Sequence, residues 1–287
     1  MDLPDGRTLE ALSSGPADGR LLVFQTGTPT AAVEYPPLVE IATQRGLRTV
    51  MYSRPGYAGS TPQPGRSVAH VVDDIRALLD RLQAETFVTI GWSGGGPHAL
   101  ACAALLPDRC AAAASLAGVA PYAAEGLRWL DGMGPENIEE FSHARQGESA
   151  LTPWLELEAA QLARVTGGEV AAALGGLVSE IDQAALTGEF AEYLASCFRR
   201  AVSTGIAGWR DDDLAFTREW GFDVSQIQRP VAVWQGGEDR MVPFAHGQWL
   251  ADHIPRARAH LDPHQGHLSL AVAALDQIVD ELLELAR

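Results

Sequence analysis

The stretch TFVTIGWSGG, residues 86–95, decides the fold. Its first half is β-branched and apolar, which favours a strand, and the Ala- and Leu-rich segment 98–106 after it favours a helix. Between them lies Gly-x-Ser-x-Gly, with Ser93 at its centre. A serine on so sharp a turn needs glycine two positions away on either side, because a side chain there would collide with backbone. The pentapeptide alone also occurs by chance, but its strand and helix flanks indicate a reactive hydroxyl at a helix N-terminus.

Strands and helices alternate on both sides of this turn. The patterns predict strands at residues 20–25, 47–52, 86–90 and 111–116, and helices at 31–45, 67–84 and 98–106. Residues 7–13 are expected to pair with 20–25 as a hairpin. Such alternation predicts an α/β fold with a mostly parallel central sheet flanked by helices. Its functional residues then belong at the carboxyl ends of the strands.

The alternation stops between Pro121 and Pro230, where the chain is helical in character and shows no clear strand. We therefore expect a helical cap, or lid, at residues 124–209, inserted into a core formed by residues 1–123 and 210–287. After the insertion, strands are predicted at residues 230–235 and 257–261 and helices at 243–251 and 268–286.

Composition narrows the classes of function. The net charge of −16 over 287 residues argues against nucleic acid or a membrane surface as partner, and a well-solvated surface explains it. All 21 basic residues are arginine, which excludes Schiff-base lysine chemistry and a Walker loop. No leader or long apolar run is evident, so we expect a cytoplasmic protein. The spacing of the cysteines is not that of a metal site, so we expect them to be buried free thiols. These cysteines are Cys102, Cys110 and Cys197.

A serine nucleophile requires a base and an orienting acid, and candidates for both follow the last two predicted strands. Asp239 comes after strand 230–235, and His267 comes after strand 257–261. Glu238 is an alternative acid one position earlier, and His264 is an alternative base. The chain order Ser, Asp, His is the one expected of a hydrolase built on this kind of sheet.

Three segments together resemble the serine hydrolases of the α/β-hydrolase fold that carry a helical cap. They are the Ser93 turn, the sequence GEDRMVP at residues 237–243, and Gly266-His267. The resemblance covers nearly the whole chain. It implies that Ser93 is the nucleophile, that His267 is the general base and later the acid, and that Asp239 orients the histidine. It implies no cofactor and no metal.

The resemblance also implies an oxyanion hole formed by two backbone N–H groups, those of Thr28 and Gly94. Relatives commonly carry His-Gly-x-Pro where this chain has TGTP at residues 26–29. Thr26 therefore departs from the pattern, which alters either the bracing of the loop or the shape of the pocket. The segment SRPGYAGS at residues 53–60 resembles another loop of the family, and we expect it to brace the serine turn.

Other polar residues are expected to have structural roles. We predict packing or hydrogen bonding for His98, a surface helix for His246 and His253, and a solvated run or helix cap for the acidic residues 211–213. The candidate pocket consists of large apolar side chains, each of which is also explained by ordinary packing. These residues are Trp92, Met133, Phe141, Trp154, Phe190, Tyr193 and Trp209.

The expected activity is hydrolysis of a small ester, thioester or lactone through an acyl-enzyme. Carbon–carbon bond hydrolysis, peptide or amide hydrolysis, cofactor-free peroxidase activity and a non-catalytic small-molecule receptor remain alternatives. Epoxide hydrolase and dehalogenase chemistry is disfavoured, because it needs a carboxylate nucleophile where this chain has Ser93. The expected partner is a small-molecule substrate, and its identity and the oligomeric state stay open.

Overall fold

The computed structural model describes all 287 residues and is built around one seven-stranded sheet. The strands are β1 (Ala11–Ser14), β2 (Arg20–Gln25), β3 (Leu47–Tyr52), β4 (Phe87–Trp92), β5 (Cys110–Leu116), β6 (Val231–Gly236) and β7 (Arg258–Asp262). Their order across the sheet is β1-β3-β2-β4-β5-β6-β7. Every neighbouring pair is parallel except β1 with β3. The predicted α/β class with a mostly parallel sheet is confirmed.

Twelve α-helices accompany the sheet. Those outside the inserted region are α1 (Pro36–Gln44), α2 (Val71–Arg81), α3 (Gly96–Leu105), α10 (Phe244–His253), α11 (His267–Ala273) and α12 (Leu275–Leu285). Those between β5 and β6 are α4 (Pro135–Gln146), α5 (Glu148–Leu162), α6 (Val170–Leu174), α7 (Glu180–Ala185), α8 (Gly188–Ala201) and α9 (Ala207–Phe216). No helix is both long enough and apolar enough to span a membrane.

Burial explains why these segments form these elements. All six residues of β4 are buried, as a strand covered on both faces requires. Helix α2 buries one side, including Ile75, Leu78 and Leu79, which is the face that its periodicity predicts. A single apolar cluster runs from the sheet through the flanking helices into the inserted helices. All three cysteines are buried free thiols.

Three local predictions are wrong. Segment β1 does not form a hairpin with β2, because β2 is paired on both edges by β3 and β4 and leaves β1 only the outer edge of β3. The predicted final helix is two helices, which separate at Ala274. Helix α1 also begins later than predicted, at Pro36, a position where proline is favoured because its missing N–H has no partner there anyway.

The stretch between β5 and β6 contains helices and no strand, as its sequence pattern predicts. We keep the division into a core of residues 1–123 and 210–287 and a cap of residues 124–209 as a proposal. Helix α9 runs across the proposed boundary, with Trp209 on one side and the acidic residues 211–213 on the other.

Candidate active site

Ser93 directly follows β4, on a turn whose backbone conformation residues with a side chain rarely adopt. Its φ of 56° is in the left-handed region, which is strained for any residue with a Cβ. A Cβ on Gly91 would lie 2.2 Å from the carbonyl oxygen of Gly95, and a Cβ on Gly95 would lie 2.0 Å from that of Gln25. Both glycines of the motif are therefore required by close backbone approach.

Asp239 follows β6, and four hydrogen bonds fix its buried carboxylate. Oδ1 accepts the backbone N–H groups of Met241 and Val242, each at 2.8 Å. Oδ2 accepts Gln235 Nε2 at 2.9 Å and pairs with His267 Nδ1 at 2.8 Å. A carboxylate held in this way fixes both the ring orientation and the tautomer of the histidine.

His267 begins α11 and is 2% exposed. Burial opposes its charged form, but the Asp239 carboxylate outweighs this, and the pKa of His267 is raised above its ordinary value of 6.5. With Nδ1 engaged by Asp239, Nε2 is left to take a proton. Ser93 and His267 line the same cavity. This arrangement has the parts of a serine nucleophile, a base and an orienting acid.

The alternative acid and base lie elsewhere. Glu238 and His264 are both exposed at the surface. A solvated carboxylate beside the loop cannot orient a buried imidazole, so the geometry favours Asp239 and His267 over them.

Asp182 is a further residue of the site that the sequence did not point to. It belongs to α7 in the inserted region and is fully buried. Its carboxylate accepts the backbone N–H groups of His267 at 3.0 Å, Leu268 at 2.8 Å and Ser269 at 2.9 Å. These are donors of the first turn of α11 that lack partners within the helix. Asp182 therefore caps the helix that begins with His267.

Gly266 makes this cap possible. A Cβ at position 266 would lie 2.4 Å from a carboxylate oxygen of Asp182. The sequence signal nearby, Ser179 three residues before Asp182, marks only the start of α7, where the Ser179 hydroxyl accepts the Asp182 N–H at 3.4 Å. Nothing local in the sequence shows that the same carboxylate reaches α11.

The loop after β2 lies against the serine turn, as the predicted oxyanion hole requires. A Cβ on Gly94 would lie 2.5 Å from Thr28 Oγ1, so the loop carrying Thr28 packs closely on the residue after Ser93. Arg54 donates to the carbonyl oxygen of Thr26 at 2.5 Å and to that of Gly27 at 2.8 Å. The bracing of this loop thus comes from an arginine of the segment 53–60.

Asp212 is the centre of a buried ionic cluster beneath this loop. It pairs with Arg54 and Arg66, each at 2.6 Å, and accepts the hydroxyl groups of Tyr57 at 2.9 Å and Thr28 at 2.7 Å. Although burial opposes ionisation, the two guanidinium groups hold the pKa of Asp212 well below its usual range. The prediction of a solvated acidic run at 211–213 is wrong, since all three residues are buried.

The other histidines divide between core and surface. His98 is buried and lies 3.7 Å from Asp212, and burial lowers its pKa to about 4. His246 is fully buried, which corrects its predicted surface position, while His253 is exposed. The His246 ring bridges the N–H of Ala120 and the carbonyl oxygen of Trp129, and burial lowers its pKa to about 4. Both imidazoles are therefore neutral structural groups.

One cavity of about 140 Å³ lies above the serine, and Thr28, Ser93, Gly94 and His267 line it. The candidate pocket residues that line it are Trp92, Phe141, Trp154 and Trp209. Met133, Phe190 and Tyr193 lie outside its lining; Tyr193 instead stacks on Tyr35 with 4.5 Å between ring centroids.

Comparison with known proteins gives a consistent result. A family model described as alpha/beta hydrolase fold matches residues 20–274. The chain is 27% identical over 243 residues to a non-heme chloroperoxidase of Streptomyces lividans, covering 84% of this chain and 82% of that protein. It is 25% identical over 261 residues to a pimeloyl-(acyl-carrier protein) methyl ester esterase of Nitrosomonas europaea, covering 90% of this chain and 91% of that protein.

Solved structures agree in fold. A bromoperoxidase from Bacillus anthracis superposes with a TM-score of 0.74 at 20% identity, covering 97% of this chain and 96% of that chain. At this identity the likeness concerns the fold alone.

Proposed function

The chain belongs to the α/β-hydrolase family and is a hydrolase, and from this premise we propose that it cleaves a small ester, thioester or lactone through an acyl-enzyme on Ser93. The observation that carries the proposal is the 2.8 Å pair of Asp239 and His267, because the imidazole of this pair lines one cavity with Ser93 of the strained turn. The likeness to a methyl ester esterase supports ester chemistry. The cavity volume of about 140 Å³ supports a small acyl or alcohol group, since a space of that order holds a ring the size of benzene.

In the first half of the proposed reaction, the Ser93 hydroxyl attacks the carbonyl carbon of the substrate. His267 Nε2 takes the hydroxyl proton, and the Asp239 carboxylate stabilises the imidazolium that forms. The negative charge on the carbonyl oxygen is held by the backbone N–H groups of Thr28 and Gly94, an arrangement worth about 3 kcal/mol per donor in comparable enzymes. When the tetrahedral intermediate collapses, His267 gives its proton to the leaving alcohol or thiol.

In the second half, water replaces the leaving group. His267 removes a proton from water as the hydroxide attacks the acyl carbon, and the same proton returns to Ser93 when the carboxylic acid departs. The Arg54–Asp212 cluster supports both halves by bracing the Thr28 loop. The absence of the usual histidine at position 26 is consistent with that bracing, because Arg54 holds the carbonyl groups of the loop directly.

A fluorophosphonate probe tests the proposal. We expect wild-type protein to be labelled at Ser93, and Ser93→Ala and His267→Ala to abolish labelling and ester turnover. His264→Ala changes the neighbouring exposed histidine and serves as the matched control, which should label as wild type. An unlabelled wild type that turns over none of a panel of p-nitrophenyl esters would contradict the proposal.

A second candidate uses the same acyl-enzyme with hydrogen peroxide in place of water. Attack by peroxide on the acyl group releases a peroxycarboxylic acid and restores Ser93. The likeness to a protein named non-heme chloroperoxidase favours testing it. Peroxide-dependent halide oxidation that requires a carboxylic acid and is lost in Ser93→Ala would distinguish it from simple hydrolysis.

A further inference from the structure

Four carboxylates line the cavity above Ser93, and no arginine lines it. They are Glu136, Glu140, Glu158 and Asp213. The chain contains no lysine, so His267 is the single basic side chain in the lining. An active-site cavity with this charge balance is unsuited to an anionic substrate.

Asp213 is buried without a compensating N–H or hydroxyl donor. It is 0% exposed, it lines the cavity, and neither of its carboxylate oxygens accepts a hydrogen bond from an N–H or hydroxyl group of the protein. Glu136 has one oxygen, Oε2, in the same condition. Buried carboxylates without partners are rare because the loss of hydration is not compensated. Such a carboxylate in a binding cavity indicates that the ligand itself supplies the missing hydrogen-bond donor or positive charge.

The neighbouring residue shows how this chain compensates a buried carboxylate when the role is structural. Asp212 is as buried as Asp213 but has two guanidinium groups at 2.6 Å. Asp213 faces instead another acid, Glu140, and burial together with the charge of Glu140 raises the pKa of Asp213 well above its usual range. Two neighbouring carboxyl groups can form a hydrogen bond with each other only when one of them is protonated. A bound cation can take the place of that proton and leave both groups ionised.

Aromatic side chains form much of the remaining wall. Trp154, Trp209 and Phe216 line the cavity together with the acids, and Trp209 Nε1 donates to Glu140 Oε1 at 2.7 Å. The faces of aromatic rings attract cations, most strongly where water is excluded. Acids and aromatic rings without an arginine or lysine are the combination that recognises organic ammonium ions.

We propose that the cavity binds an ammonium group carried by the non-reacting part of the substrate, between the carboxyl groups of Glu140 and Asp213 and the neighbouring aromatic rings. This inference rests on the proposed function for the reaction itself and adds the substrate class. It applies to primary and quaternary ammonium groups, on either the acyl or the alcohol side of the scissile bond.

Isosteric pairs of esters test the proposal. p-Nitrophenyl 6-aminohexanoate and p-nitrophenyl heptanoate differ by an ammonium group against a methyl group on the acyl side. Acetylcholine and 3,3-dimethylbutyl acetate differ on the alcohol side by a trimethylammonium group against an uncharged tert-butyl group. We expect kcat/KM to be roughly tenfold or more higher for the cationic member of at least one pair. The pair that shows the preference identifies the side of the bond.

Variants connect the preference to the acids. Asp213→Asn and Glu140→Gln should each reduce the ratio of cationic to neutral kcat/KM toward one, and the glutamine keeps an acceptor for Trp209. Glu139→Gln removes an exposed carboxylate of α4, the helix that carries Glu140, and should keep the wild-type ratio of cationic to neutral kcat/KM. Thermal unfolding of each variant checks that the fold is retained. A wild-type ratio at or below one for both pairs, or a ratio unchanged in both cavity variants, overturns the inference.

A binding measurement separates this inference from the proposed reaction. If no ester is turned over and Ser93 is unlabelled, the proposed function fails, and titration of phenyltrimethylammonium by calorimetry decides on the cation site alone. Binding that weakens tenfold or more in Asp213→Asn supports the site. No binding to wild type, or equal binding to wild type and both cavity variants, overturns it.

Discussion

A serine hydroxyl is almost fully protonated at neutral pH, so the reactivity of Ser93 depends on neighbouring groups. The strained φ of 56° turns its side chain out of regular structure, and the two glycines allow backbone to approach from both sides. His267 is useful as a base only when neutral, while the Asp239 carboxylate favours its charged form. The activity should therefore depend on the pH through the protonation of His267.

Asp239→Asn is expected to change both rate and pH profile. In the wild type, kcat/KM should fall as the pH decreases through an apparent pKa above 6.5, because Asp239 raises the pKa of His267. Without that carboxylate, burial lowers the pKa of His267 and only the more weakly acting charge of Asp182 still raises it, so the acid limb should move to lower pH. The rate should fall roughly a thousandfold or more through loss of the correct tautomer.

The measurement is kcat/KM for one p-nitrophenyl ester between about pH 5 and pH 9, a range that spans ordinary histidine pKa values. Glu238→Gln changes the adjacent exposed acid and should leave profile and rate unchanged. An acid limb that stays in place in Asp239→Asn would show that another group controls it.

For strands and helices, local sequence is enough to predict most of the elements that position the candidate site. The strand, turn and helix around Ser93 are predictable because β-branched residues, glycines and a helix-forming run lie next to each other. Asp239 and His267 are predictable as candidates because each follows a strand of a parallel sheet. The pairing of β1 is not predictable in this way, since it depends on which edge of the sheet β2 leaves free.

Contacts between distant elements carry the rest of the site and have no local pattern. Asp182 reaches the backbone of His267 across 85 positions of the chain, and Asp212 reaches Arg54 across 158. Both acids sit in helices whose sequence is compatible with a solvated surface. Their burial depends on how the inserted helices pack against the rest of the chain.

Asp182→Ala should destabilise α11 and weaken catalysis together. Three buried N–H groups lose their acceptor, at a cost of roughly 2 kcal/mol or more in the free energy of unfolding. His267 then begins a frayed helix, so kcat should fall while the protein remains folded. Denaturant unfolding and ester turnover measure the two effects. Glu180→Gln, at an exposed position of the same helix, should change neither. Full activity in Asp182→Ala would show that α11 holds His267 without its cap.

At the scale of the whole molecule, the ionic cluster around Asp212 joins three distant parts of the chain. They are the loop after β2, the connection between β3 and α2 that carries Arg54 and Arg66, and helix α9, which follows the other inserted helices. Arg54 is 1% exposed and Arg66 is 5% exposed, so neither guanidinium can regain water if its partner is neutralised. Breaking a buried pair by removing one charge is far more costly than the pair itself is worth.

Asp212→Asn is therefore expected to lower the free energy of unfolding by about 3–5 kcal/mol, because it leaves two buried cations without an anion. Asp211→Asn is the matched control one position away: Asp211 pairs with Arg210, which also contacts Glu148 at 2.9 Å and is partly exposed. The control should show a clearly smaller loss in denaturant unfolding. The Asp212 variant should also react more slowly with a fluorophosphonate than its loss of stability explains, since the Thr28 loop loses its brace. Equal destabilisation by both substitutions would mean that the cluster does not hold core and inserted helices together.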